Sequence, residues 1–287
     1  MRTIAQHEID MQTHSLLTYL IWAVLLLATG LASFYFNITK SYANFENVLK
    51  WVSLVYVLVI PMLTMKTFSE ERRQRTDQLL YALPVSMREV VLGKYFAQLI
   101  LLFIPMVFTC AYPVLYSKYG AIHLPISFGT IFALFLMGAA LIAVGLFISS
   151  LTENQGLAAA ITAVFIVINY FSVKLAEFVT GKALGSAITV FAFVAVFALI
   201  AFVLTKSTGF AVLLGAVLEV VAAALYFVKP ELYTGLVPMI MKKISLYERF
   251  YVFVNGDLDI TGIVYFISVT AVFVFLTIQS MEKRRYN

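Results

Sequence analysis

A 287-residue chain that is 62% hydrophobic and only 12% charged lacks the polar side chains needed to coat a water-soluble fold of its size. Its mean hydropathy of +0.95 excludes a soluble enzyme, a nucleic-acid-binding module and a disordered chain, and leaves an all-α polytopic integral membrane protein. The net charge of +5 does not imply a nucleic-acid partner, because the basic residues stand at the ends of apolar runs and form no patch.

Residues 1–15 read as a short interfacial helix, to which Ile4, Ile9 and Met11 bring a modest apolar contribution. A membrane span must satisfy its backbone internally, so each should be a helix of roughly 20 residues. Eight apolar runs qualify, about 16–36, 48–68, 91–116, 126–150, 157–179, 185–205, 208–228 and 258–281. In a six-span alternative, part of 174–228 is re-entrant. The first run is read as an uncleaved span, since Glu8 and Asp10 beside a lone Arg2 make a poor signal-peptide start. Pro61, Pro105 and Pro113 are expected to kink their helices.

Arginine placement sets the orientation. Arg2, Arg72, Arg73, Arg75, Arg88, Arg284 and Arg285 fall on one side and only Arg249 on the other, which puts both termini in the cytoplasm. The domain reading is a single transmembrane domain, 1–287, with a cytoplasmic elbow at 1–15, a cytoplasmic segment at 69–90 and an external segment at 229–257.

The most informative stretch joins the second and third runs. Glu70, Glu71, Arg72 and Arg73 open it. Thr76, Leu79, Leu80 and Leu83 follow at helical spacing on one face, and Pro84 ends that helix. Ser86 is placed to cap the next helix, with Glu89 as its capping-box partner, and Gly93-Lys94 begin the third span. The residues alone allow two readings, a helix that anchors a loop to the membrane surface and a coupling helix that docks on a cytoplasmic motor.

This segment resembles the signature of type-2 ABC exporter permeases, in particular the gliding-motility and copper-processing branches. The matching residues are Glu70 or Glu71, Thr76, Leu79-Leu80, Pro84, Ser86, Gly93 and Lys94. Arg75 stands where the family usually has glycine. The elbow 4–19, the turn 149–155 and the segment 247–285 are similar as well. The resemblance implies a six-helix permease core, here with two extra helices, in a bacterial cell membrane. It implies a separate cytoplasmic ABC ATPase as partner, a second permease copy or homologue, and no catalytic residue or cofactor on this chain, ATP and magnesium being held by the ATPase. Glu70, Glu71, Arg72, Arg73, Thr76, Leu79, Leu80, Leu83 and Pro84 would then form the ATPase-coupling element, and Glu153, Asn154 and Gln155 a second contact.

No G-x-x-x-x-G-K-[ST] is present, since Gly93-Lys94 is followed by Tyr95 and Gly181-Lys182 by Ala183. His7, His14, His123 and Cys110 are scattered, with no metal-ligand spacing. Glu219 lies mid-run in 208–228, where a charge costs about 2.5–3.5 kcal/mol. It is either a translocation-path contact or a helix–helix hydrogen bond, with Asn169 as a possible partner. The competing functions are an ion-coupled secondary transporter, which would need several such charges, and a lipid-processing membrane enzyme, which would need paired carboxylates or a His/Asp cluster.

Overall fold

The computed structural model describes residues 2–40, 42, 44–75, 86–118, 122–178, 216, 219 and 236–286. All the regular elements among them are helices. In chain order these are α1 (Arg2–Thr13), α2 (Leu16–Ser33, continued by a π-helical stretch Phe34–Thr39), α3 (Glu46–Thr64), α4 (Ser69–Arg73), α5 (Met87–Thr109), α6 (Ala111–Tyr116), α7 (Leu124–Leu151), α8 (Gln155–Phe178), α9 (Leu236–Ile244), α10 (Leu246–Val254) and α11 (Ile260–Tyr286). Six stretches among the described residues are long and apolar enough to cross a membrane: Leu16–Thr39, Glu46–Arg73, Met87–Tyr116, Leu124–Leu151, Gln155–Ser172 and Ile260–Arg284. These answer to the first five runs and the last. The runs 185–205 and 208–228 fall outside the described residues, apart from Ala216 and Glu219.

The chain divides into two compact units, 1–168 with 249–287, and 169–248. In the first, α7 is the central helix. It is apolar around its whole circumference and packs against α3, α5 and α11. Glycines set how closely the neighbours approach. A Cβ on Gly138 would lie 2.6 Å from Leu102 Cδ2 of α5, and one on Gly145 would lie 2.9 Å from Thr64 Cβ of α3. Tyr56, fully buried on α3, donates to the Leu134 carbonyl at 3.3 Å, so its hydroxyl is not left unpaired in the interior.

Pro105 lies inside α5, which runs from Met87 to Thr109, and leaves one backbone carbonyl without its helical donor. Proline has no N–H to offer the carbonyl four residues back, which is that of Leu101. Trp22 of α2 supplies the donor instead, with Nε1 2.9 Å from the Leu101 oxygen. Trp22 thus closes an opened backbone site. The helix breaks at Cys110 and resumes as α6.

At the end of this unit away from α4, the carboxylate of Glu46 accepts from Ser127 Oγ at 2.6 Å, both buried. Thr130 Oγ1 donates to the Phe253 carbonyl at 3.0 Å. Asp259 caps α11, accepting from Thr261 N at 2.9 Å, and Arg249 lies 3.8 Å from it. The Thr261 hydroxyl is the main cause holding the Asp259 carboxyl below its ordinary range.

The segment expected at 229–257 contains two helices among its described residues, α9 and α10. Ser245 separates α9 from α10. Asn169 governs the break: its Oδ1 accepts from Leu246 N at 3.0 Å, and its carbonyl accepts from Ser245 Oγ at 3.1 Å. A helix begins with unpaired N–H groups, and an Asn side chain can satisfy one of them from a distant part of the chain.

Candidate functional site

The charged residues singled out in the sequence gather at one end of the first unit, around α4. This helix begins after the turn that ends α3, where its first N–H groups need acceptors. Ser149, at the end of α7, provides one. Its Oγ accepts from Phe68 N at 3.2 Å and Ser69 N at 3.3 Å, and donates to the Met65 carbonyl at 3.2 Å. Ser149 and Ser69 are both fully buried.

Lys94 holds α4 from a second side. It lies two turns into α5 and is 2% exposed. Its ammonium has three donors and uses them on Glu71 Oε1 at 2.7 Å, Glu8 Oε2 at 2.9 Å and the Thr67 carbonyl at 3.1 Å. Its Nζ also lies 5.5 Å from the centre of the Phe68 ring. Glu8, on α1, is 4% exposed and accepts from Gln12 Nε2 at 2.8 Å. Gln98, one turn along α5, donates to Thr67 Oγ1 at 2.9 Å. A buried ammonium with one carboxylate would be a costly pair, and two carboxylates plus a carbonyl satisfy it. The outcome is a pin that joins α1, α4 and α5.

Arg72 holds α4 from a third side. It donates to the Ser150 carbonyl at 3.2 Å and to Glu153 Oε1 at 3.0 Å. Arg284 of α11 reaches the same turn and donates to the Leu151 carbonyl at 3.2 Å, and Ser150 contacts Ser280 at 3.3 Å between hydroxyls. At this end of the bundle α1 is joined to α4 through Lys94, and the last turns of α11 meet the end of α7 that Arg72 of α4 also contacts.

Of the expected coupling residues, then, Glu71 and Arg72 have partners within the chain, Glu70 is half-buried and accepts from Gln74 Nε2 at 3.3 Å, and Arg73 is exposed. Thr76, Leu79, Leu80, Leu83 and Pro84 lie outside the described residues. Glu153 is bound to Arg72, while Asn154 caps α8 by accepting from Gly156 N at 2.9 Å, and Gln155 is the first residue of α8. Ser86 caps α5 as expected, accepting from Glu89 N at 3.3 Å. Glu219 is helical and exposed, and Asn169 makes its bonds to Ser245 and Leu246 with none to Glu219.

Arg75 follows α4 with φ at +58°, in the left-handed region that a residue with a Cβ rarely adopts. The backbone turn that the resemblance assigns to glycine is made all the same, with Arg75 N donating to the Arg72 carbonyl at 3.1 Å. Among the described residues no group of three or more His, Cys, Asp or Glu side chains could hold a metal ion.

Six helices among the described residues that are long and apolar enough to cross a membrane, with a braced polar segment at one end, define a multi-pass helical membrane protein. Residues 3–178, more than half of the chain, match the model of the ABC-2 family transporter protein, and the chain belongs to that family. The matched region contains the whole of the Glu8–Lys94–Glu71 cluster and the Arg72–Glu153 pair. No match was found among curated proteins or among solved structures.

Proposed function

We propose that this chain is the membrane subunit of an ATP-driven exporter. A separate cytoplasmic ATPase docks on the element that begins at α4 and continues through Leu79, Leu80 and Leu83, with the 153–155 turn as a flanking contact. Two permease copies, or one copy and a homologue, form the working unit, and both termini face the cytoplasm.

The observation that supports this reading is the anchoring of α4. Lys94, Ser149 and Arg72 tie it to α1, α5, α7 and the turn before α8. A segment that only closed a loop would need no such bracing. A segment that takes a load from a motor needs it, because motion spreads through packed elements and not through a slack chain. Exposed Arg73 provides outward charge for the ATPase.

The test is recovery of the ATPase on detergent-solubilised protein carrying an affinity tag. Recovery with wild type, lost when Leu79 and Leu80 are both changed to Asp, supports docking. Equal recovery with that variant removes it. Vesicles holding the purified chain alone and accumulating cargo against a gradient would remove the ATP-driven reading altogether.

A further inference from the structure

A cavity of about 400 Å³ opens between α1 and the adjoining ends of α2 and α3. Its volume is within the ordinary range of ligand sites. Its walls are of two kinds. Leu17 in the first turn of α2 and Met62 and Leu63 in the last turn of α3 are apolar and belong to two candidate membrane spans, while Lys66, Glu70 and Glu71 lie at the polar end of the second span. The cavity therefore sits at the depth of lipid headgroups, with an apolar side facing the acyl region.

We propose that it binds the headgroup of a phospholipid bearing a primary ammonium, drawn from the leaflet on the α4 side. The charges of the lining select this chemistry. It contains three carboxylates, Glu8, Glu70 and Glu71, against two ammonium groups, Lys66 and Lys94. Lys94 is fully occupied by Glu8, Glu71 and the Thr67 carbonyl, and so is not offered to a ligand. What remains is a carboxylate, Glu70, whose one hydrogen bond is a 3.3 Å contact from Gln74, and a lysine, Lys66, with no ion-pair partner among the described residues. A zwitterion matches that pair. Its ammonium donates to Glu70 and its phosphate meets Lys66. A trimethylated ammonium has no N–H to donate, and a purely anionic headgroup meets the surplus of carboxylate. Docking of an ATPase side chain is less well matched, because the apolar wall is made by span ends and not by the outward face of α4.

The experiment uses the purified full-length chain without ATPase, so its outcome is independent of the docking reading. Nanodiscs are made from equal parts phosphatidylethanolamine, phosphatidylcholine and phosphatidylglycerol with the same acyl chains. The protein is then extracted and retained lipids are counted by native mass spectrometry. Wild type should retain the ethanolamine lipid about fivefold over the choline lipid, the most that an ion pair touching solvent supplies. Glu70→Gln should bring the ratio close to one, whereas Lys66→Gln should lower retention of the ethanolamine and choline lipids alike and keep their ratio, because both carry the phosphate; neither should move the thermal midpoint. Equal retention of the three lipids by wild type, a preference for the glycerol lipid, a ratio that Glu70→Gln leaves unchanged, or retention that Lys66→Gln leaves unchanged would each overturn the proposal. So would displacement by equimolar soluble glycerophosphoethanolamine, which would assign the cavity to a water-soluble headgroup compound and not to a membrane lipid.

Discussion

Lys94 Nζ and Glu8 Oε2 lie 2.9 Å apart although 86 positions separate the two residues in the chain. This contact makes the N-terminal helix part of the bundle. Without it α1 would be an amphipathic segment lying on a membrane surface; with it, α1 shares a buried charge with α4 and α5. Any displacement of α4 is then felt at α1.

Lys94→Met should be strongly destabilising, by about 3–5 kcal/mol, since it leaves Glu8 and Glu71 facing each other without a cation. Changing all three residues, Lys94→Met with Glu8→Gln and Glu71→Gln, should recover much of that loss because no buried charge remains. Thermal unfolding in detergent followed by tryptophan fluorescence checks both. A triple variant no more stable than the single one would show that the cluster is held by packing and not by charge.

The Arg72–Glu153 pair is a different case. The Arg72 side chain is 13% exposed and that of Glu153 is 68% exposed, so solvent screens the contact. Glu153→Ala should cost less than about 1 kcal/mol. Arg72→Ala should cost more, because the Ser150 carbonyl loses a donor as well. A double-mutant cycle on the two should give a coupling of about 0.2–1 kcal/mol. A coupling outside that range would contradict the assignment of the pair as solvent-screened.

The spans were legible because each apolar run had the length of a bilayer and the described helices begin and end within a few residues of the runs. Local chemistry was legible too: Ser86 caps α5, and Pro105 breaks the backbone ladder. What the sequence could not show was pairing between distant positions. Lys94 reads as the polar start of a span, and only folding brings Glu8 and Glu71 to it. The signal was present in principle, since a lysine that enters an apolar helix must find an acid or reach water, and Glu8 lies on an otherwise weakly charged elbow. The break at Ser245 was legible in principle, since Ser245 Oγ accepts from Glu248 N at 3.2 Å in a local Ser-x-x-Glu cap, and only the added bond from Leu246 N to Asn169 comes from a distant helix.

Arg75 permits a test in which two substitutions at one site have opposite signs. Its φ of +58° is free of strain only for glycine. Arg75→Gly relieves that strain but gives the unfolded chain more freedom, so it should be neutral or stabilising by up to about 1 kcal/mol. Arg75→Val should be destabilising by about 1 kcal/mol or more, because a β-branched side chain tolerates this conformation least. Equilibrium denaturation of the two variants side by side decides it, and a stability order with valine above glycine would refute the left-handed turn.

Trp22 and Pro105 should behave as a thermodynamic pair without touching through their side chains' chemistry. The tryptophan N–H serves a carbonyl that the proline has left without its helical donor. Trp22→Phe keeps an aromatic ring and removes the donor, so the Leu101 carbonyl becomes unpaired in an apolar setting, at a cost of about 1–3 kcal/mol. Pro105→Ala restores an N–H at the position that normally bonds that carbonyl. In the Pro105→Ala background, therefore, Trp22→Phe should cost markedly less than in wild type. The measurement is a four-member cycle of thermal midpoints and unfolding free energies in one detergent. An identical cost for Trp22→Phe in both backgrounds would show that Trp22 contributes through packing alone, and that the Leu101 carbonyl finds its donor elsewhere.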